Sequence, residues 1–196
     1  MKILIVSDEE SSYYWDYYQK GRLDDIDLIL SCGDLKAEYL EFLVTMSHAP
    51  LLYVPGNHDR QYEKHPPEGC DCIDGKLVNI NGLRILGLGG SRQYNGGPNQ
   101  YTEKQMSARI FKAKPKLRKN KGVDIVLTHA PASGCGDAPD VAHAGFECFC
   151  SLMDRYKPKY LIHGHVHKRY GPSIERLHQY GETKVINASG YYILEV

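Results

Sequence analysis

Leu51-Leu52-Tyr53-Val54-Pro55-Gly56-Asn57-His58-Asp59 is a run of four apolar residues, a Pro-Gly break, and three polar residues that can hold cations or move protons. An apolar run this short, bounded by turn formers, reads as a buried strand, and the polar loop hangs from its carboxyl end. The same pattern recurs along the chain. Lys2–Val6 is followed by Ser7-Asp8-Glu9-Glu10, and Asp27–Leu30 by Ser31-Cys32-Gly33-Asp34. Val123–Leu127 is followed by Thr128-His129-Ala130-Pro131, and Tyr160–Ile162 by His163-Gly164-His165-Val166-His167. Leu77–Leu88 reads as a hairpin turning at Asn81-Gly82, and Lys184–Ile186 as one more strand. Helical stretches are expected at Ser12–Lys20, Lys36–His48, Thr102–Lys112 and Phe146–Tyr156, with Thr102 and Gln105 spaced as a capping box. This alternation predicts an α/β fold with mixed sheets, whose site lies at the carboxyl ends of the strands.

The 196 residues carry 24 Lys+Arg against 24 Asp+Glu, and 42% are hydrophobic. That is enough chain to bury a core, and its neutrality argues against a general binder of nucleic acid or of anionic membranes. No repeat or Pro/Gly-rich linker divides it, so a single domain over residues 1–196 without a separate cap is expected. The apolar stretch Ile3–Val6 is too short for a signal peptide or a spanning helix, which leads to the expectation of a cytoplasmic protein with no membrane partner. The six cysteines then read as free thiols, and the spacers of Cys70-Asp71-Cys72 and Cys148-Phe149-Cys150 are short for zinc.

Five strand ends deliver Asp, Asp, Asn-His, His and His-x-His to one edge. Any one of these alone is an ordinary turn; their recurrence at strand ends is hard to explain by packing. His165 and His167 face the same side if the backbone is extended, because side chains alternate along a strand. Mixed oxygen and imidazole donors suit Mn, Fe or Zn. The donors outnumber the needs of one ion, so a pair of ions sharing a carboxylate is expected, ~3.5–4 Å apart and clamping an in-line displacement at phosphorus.

Asp8, Gly33-Asp34, Gly56-Asn57-His58-Asp59, His129 and Gly164-His165-Val166-His167 together resemble the motifs of the calcineurin-like metallophosphoesterase superfamily, from Met1 to about Ala188. The resemblance implies a four-layer α/β/β/α sandwich of two mixed β-sheets. It also implies a role for each matching residue: Asp8 and His167 on a first metal, Asn57, His129 and His165 on a second, Asp34 bridging both, and His58 as the catalytic group at the leaving oxygen. The expected cofactors are two divalent ions, manganese ahead of iron or zinc. The expected reaction is hydrolysis of a small phosphate mono- or diester by a metal-bridging hydroxide. The alternatives are a scaffold that kept the fold without the catalysis, and a nuclease. One position departs from the superfamily pattern: Glu10 stands where a histidine is usual, and it or a water is expected to complete the first metal.

Arg92, in Gly89-Gly90-Ser91-Arg92-Gln93-Tyr94, is the candidate substrate-binding residue, able to pair bidentately with a phosphate. Tyr13, Tyr14, Trp15, Tyr17 and Tyr18 lie on the same edge, as does His143. The basic run Lys112, Lys114, Lys116, Arg118, Lys119 and Lys121 precedes a strand whose far end carries His129, so it reads as a solvated face on the opposite edge. His163 reads as a buried supporting histidine rather than a ligand, and Asp59 as a loop anchor.

Overall fold

Strand β1 (Lys2–Ser7) is buried at every residue after Lys2, so it runs between two covered faces. A computed structural model describes residues 1–167 and 175–196. In it β1 lies second in a five-stranded sheet, beside antiparallel β13 (Gly190–Glu195) and parallel β2 (Leu28–Ser31), followed by β3 (Leu51–Tyr53) and β4 (Asp71–Cys72). A second, six-stranded sheet runs β11 (Leu177–Tyr180), β12 (Thr183–Asn187), β10 (Tyr160–His163), β9 (Ile125–Thr128), β6 (Leu83–Leu88), β5 (Leu77–Ile80). Its four central strands are parallel and its two outer ones antiparallel. The predicted hairpin is present, with Asn81 at φ 51° and Gly82 at φ 90° in its turn.

Alternation of side chains sorts the apolar residues into three layers. Ile3, Ile5, Leu28 and Leu30 meet Ile85, Ile125, Leu127 and Ile162 between the sheets. Leu4, Val6 and Ile29 point the other way, against Leu40 and Leu43 of helix α1 (Ala37–Ser47). Leu86, Val126 and Leu161 face α2 (Glu103–Lys119) and α3 (Glu147–Tyr156). The result is an α/β fold with mixed sheets, as the strand–helix alternation led us to expect, arranged as the four-layer α/β/β/α sandwich that the resemblance implies.

Several elements differ from expectation. Ser12–Lys20 forms irregular turns, not a helix. Arg22 donates to the carbonyls of Tyr13 and Tyr17, taking acceptors that a helix would need, while Tyr14 turns inward beneath Tyr13 and Tyr191. Helix α2 starts at the expected cap, where Thr102 accepts from the Gln105 N–H and Gln105 accepts from the Thr102 N–H. It continues through Pro115 to Lys119 because Met106, Ile110, Ala113 and Leu117 keep one buried stripe, outweighing the lost backbone bond. The basic run therefore occupies the end of this helix, where cations also complement the dipole. Finally, β4, β11 and β13 were among the strands that went unforeseen. Among the described residues, no helix is long and apolar enough to cross a membrane.

Candidate metal centre

Parallel strands of both sheets end on the same edge of the sandwich, so five loops meet there. From the first sheet, Asp8 follows β1, Asp34 follows β2 and Asn57 follows β3; from the second, His129 follows β9 and His165 follows β10. The sheets are tied across this edge by the His165 N–H, which donates to both carboxylate oxygens of Asp8 at 2.9 and 3.0 Å. Asp8 (φ 65°), Asp34 (φ 56°) and His165 (φ 67°) all adopt the left-handed conformation. Such conformations typically cost ~1–3 kcal/mol and persist where surrounding contacts over-determine them.

Among the described residues, one ligand atom from each of Asp34, His129 and His165 falls within a mutual 4.8 Å. Their hydrogen bonds select the tautomers. His129 Nδ1 lies 2.8 Å from the Cys32 carbonyl and must donate to it, which turns Nε2 toward Asn57 Oδ1 at 3.0 Å and Asp34 Oδ2 at 3.3 Å. His165 Nε2 must likewise donate to the Ala142 carbonyl at 2.8 Å, leaving Nδ1 as its lone-pair atom. Fixing the far ring nitrogen in this way is how ligand histidines are oriented. Burial holds the His165 pKa down at about 3, so this ring is neutral at working pH. Burial would also lower His129, but the Asp34 carboxylate outweighs it and lifts the ring to about 9. Burial would raise Asp34; the His129 ring and the His58 backbone N–H, 2.8 Å away, hold its carboxyl at about 2. Asp34 Oδ2, Asn57 Oδ1 and His129 Nε2 thus converge as acceptors, an arrangement reconciled either by a second proton on His129 or by a cation. The donor set fits a divalent metal.

The Asp8 side chain is fully enclosed, and burial raises its carboxyl above the ordinary range. His167 sits at its flank, Nε2 4.0 Å from Asp8 Oδ1 and Nδ1 3.5 Å from Glu9 Oε1. Glu10 is directed elsewhere: its Oε1 accepts from the Lys36 N–H at the start of α1, at 3.2 Å. The carboxylate beside His167 is therefore Glu9, a residue the sequence did not single out, because alternation along an extended chain would have put Glu10 with Asp8. The left-handed turn at Asp8 breaks that alternation.

His58 is exposed at the mouth of the cluster and supplies its backbone N–H to Asp34 Oδ1. Asp59 anchors the loop, one oxygen accepting from the N–H groups of Asp34 (2.7 Å) and Gly56 (2.8 Å). Arg92, in β7 (Ser91–Arg92), donates from Nη1 to the Gly145 carbonyl at 3.2 Å. His143 packs its ring 5.0 Å from that of His165 and holds Asp140 at 2.8 Å. His163 is buried and donates to the Gly164 carbonyl at 2.9 Å, but its Nε2 has no partner among the described residues, and burial lowers its pKa to about 4. The Tyr94 hydroxyl, 3.2 Å from Asn57 Nδ2, also reaches the cluster.

A family model for calcineurin-like phosphoesterases matches residues 1–169. A UPF0046 protein of Caenorhabditis elegans is 25% identical over 81% of this chain, which spans 63% of that relative's length. An uncharacterized protein of Haemophilus influenzae is 24% identical over 98% of this chain and 96% of its own. In three dimensions, the crystal structure of TT1561 of Thermus thermophilus matches with a TM-score of 0.65 at 16% identity, over 96% of this chain and 89% of that one.

Proposed function

Because the chain belongs to the calcineurin-like phosphoesterase family, we propose that the strand-end cluster is a dinuclear centre that hydrolyses a small phosphate ester. The observation that carries this reading is the convergence of Asp34, Asn57, His129 and His165, with the outer nitrogen of each ring already held by a backbone carbonyl. Asp8 and His167 would hold the first ion, Asn57, His129 and His165 the second, and Asp34 would face both. Two such ions, when bound, acidify a shared water and neutralise phosphoryl oxygens. The chain's own part is orientation. Cys32 and Ala142 lock the two rings, and Asp59 and His58 pin the Asp34 loop. His58, one residue from Asn57 and open to solvent, would deliver a proton to the leaving oxygen. Arg92, beside Gly145, would hold a phosphate oxygen with its remaining N–H groups.

For this mixed set of oxygen and imidazole donors, manganese is the metal we favour, ahead of iron or zinc. A nuclease reading is disfavoured by the charge distribution. Lys114, Arg118, Lys119, Lys121 and Arg155 line a cavity of about 750 Å³, but it lies by the amino end of β9, away from the carboxyl-end cluster. An inactive scaffold would be expected to lack metal donors or His58, whereas here only the Glu10 position departs from the family pattern.

The direct test is metal analysis of purified protein with turnover of aryl phosphate mono- and diesters in manganese. The expected result is two ions per chain and chelator-sensitive hydrolysis; a chain that binds no divalent ion overturns the reading. A second expectation follows from His129. With its ring at about 9, it is protonated at pH 7 and must lose that proton to ligate. Metal binding at pH 7 should therefore release about one proton from this site, and the release should fade as the pH rises through 9. Calorimetric titration in buffers of different ionisation enthalpy measures it.

A further inference from the structure

We propose that Tyr94 is a positioning residue that holds the Asn57 amide with its oxygen turned to the second metal. The assignment rests on the two-metal reading above. Asn57 is 3% exposed, and the two ends of its amide are nearly equal in size, yet only the oxygen can take a cation. In the structure Oδ1 faces His129 Nε2 at 3.0 Å, and Nδ2 donates to the Tyr94 hydroxyl oxygen at 3.2 Å. Among the described residues, that hydroxyl is the acceptor for Nδ2. A cation on Oδ1 draws electron density from the amide and makes its N–H a stronger donor. The phenol oxygen is therefore worth most when the metal is bound.

The fold takes particular care to bring Tyr94 there. The residue rides on a strap between β7 and β8 (Gln100–Tyr101), which pair in parallel. The strap, together with Gly90 just before β7, is pinned to all three residues of the Pro55-Gly56-Asn57 loop. The Gly90 N–H donates to the Pro55 carbonyl at 2.8 Å, Asn99 Nδ2 donates to the Gly56 carbonyl at 2.9 Å, and Tyr94 accepts from Asn57. Gly90, at φ 84°, has no room for a side chain, since a Cβ would lie 2.2 Å from the Asn99 carbonyl oxygen. Gln100 closes the strap on itself, its Oε1 accepting from the N–H groups of Tyr94 and Asn95 at 3.2 and 3.3 Å. Partners of this kind, one bond removed from a ligand, typically change metal affinity about 10–100-fold when lost.

The test is Tyr94→Phe, which keeps the ring and deletes the acceptor, measured by calorimetric titration with manganese and by thermal unfolding in chelator. The expected result is one of the two ions binding about 10–100-fold more weakly, the other unchanged, and unfolding in chelator unmoved. The same substitution in an Asn57→Ala background should have no further effect on affinity, because Tyr94 acts through that amide. Unaltered affinity in the single variant, or a further loss in the Asn57→Ala background, overturns the assignment. A parent protein that takes up no manganese overturns the two-metal reading, and this assignment with it. A parent that binds two ions beside an unaffected variant overturns the Tyr94 role alone.

Discussion

Gly56→Ala should abolish uptake of divalent ions and, with it, phosphoesterase turnover, while leaving a folded protein. The reason is local. A Cβ at this position would stand 2.1 Å from Asp34 Oδ1 and 2.7 Å from His129 Cε1, so the methyl would occupy the ground on which the two central donors meet. The Asp34 carboxylate has nowhere to retreat, being held by the His58 N–H on one oxygen and facing His129 with the other. Overpacking a tight site typically costs about 1–3 kcal/mol, which a protein of this size can absorb. The donor geometry cannot absorb it, since displacing Asp34 would disturb both of the proposed ion positions. Circular dichroism and thermal unfolding should report a native fold with a modestly lower midpoint, and metal analysis should find the ions gone. A variant that retained two ions and full turnover would show that Asp34 and His129 are not the heart of the centre.

Substitution of His58 should separate binding from chemistry. The backbone N–H that holds Asp34 survives in His58→Ala, and the lost imidazole lies exposed at the mouth of the cluster. Metal content and the Michaelis constant should stay near parent values. Turnover of an ester with a poor, alkoxide leaving group should fall by ~10²–10⁴, the usual worth of a placed general acid. With a nitrophenyl leaving group, which departs without protonation, the loss should shrink to a small factor. An equal loss on both substrates would remove His58 from the leaving-group role. Loss of the ions would instead make it part of their support.

Much of this was legible from the chain read linearly. Four-residue apolar runs that end in Gly-Asp or Gly-Asn-His announce strands with loops at their carboxyl ends, because backbone burial and turn chemistry are local. The capping box at Thr102 was readable for the same reason. Local signals also misled. Ser12–Lys20 has no helix breaker before Gly21, but the Arg22 side chain claims its carbonyls from outside the segment. Pro115 would ordinarily end a helix, and only the packing of Ala113 and Leu117 against the second sheet carries α2 past it. Strand β13 was missed because its pairing with β1 joins the two ends of the chain, with Lys2 opposite Glu195.

The identity and spacing of the residues determined the kind of chemistry: carboxylates, an amide and imidazoles at strand ends are a property of the sequence, as is the neutrality that weighs against a nucleic-acid surface. What only the tertiary structure decided is which atoms face one another. The left-handed turn at Asp8 swings Glu10 to the start of α1 and leaves Glu9 beside His167. The carbonyls of Cys32 and Ala142, distant in sequence from the rings they hold, choose the lone pair each histidine presents. A side chain's type is written in the chain, but the direction of its lone pairs depends on hydrogen bonds to residues brought close by folding.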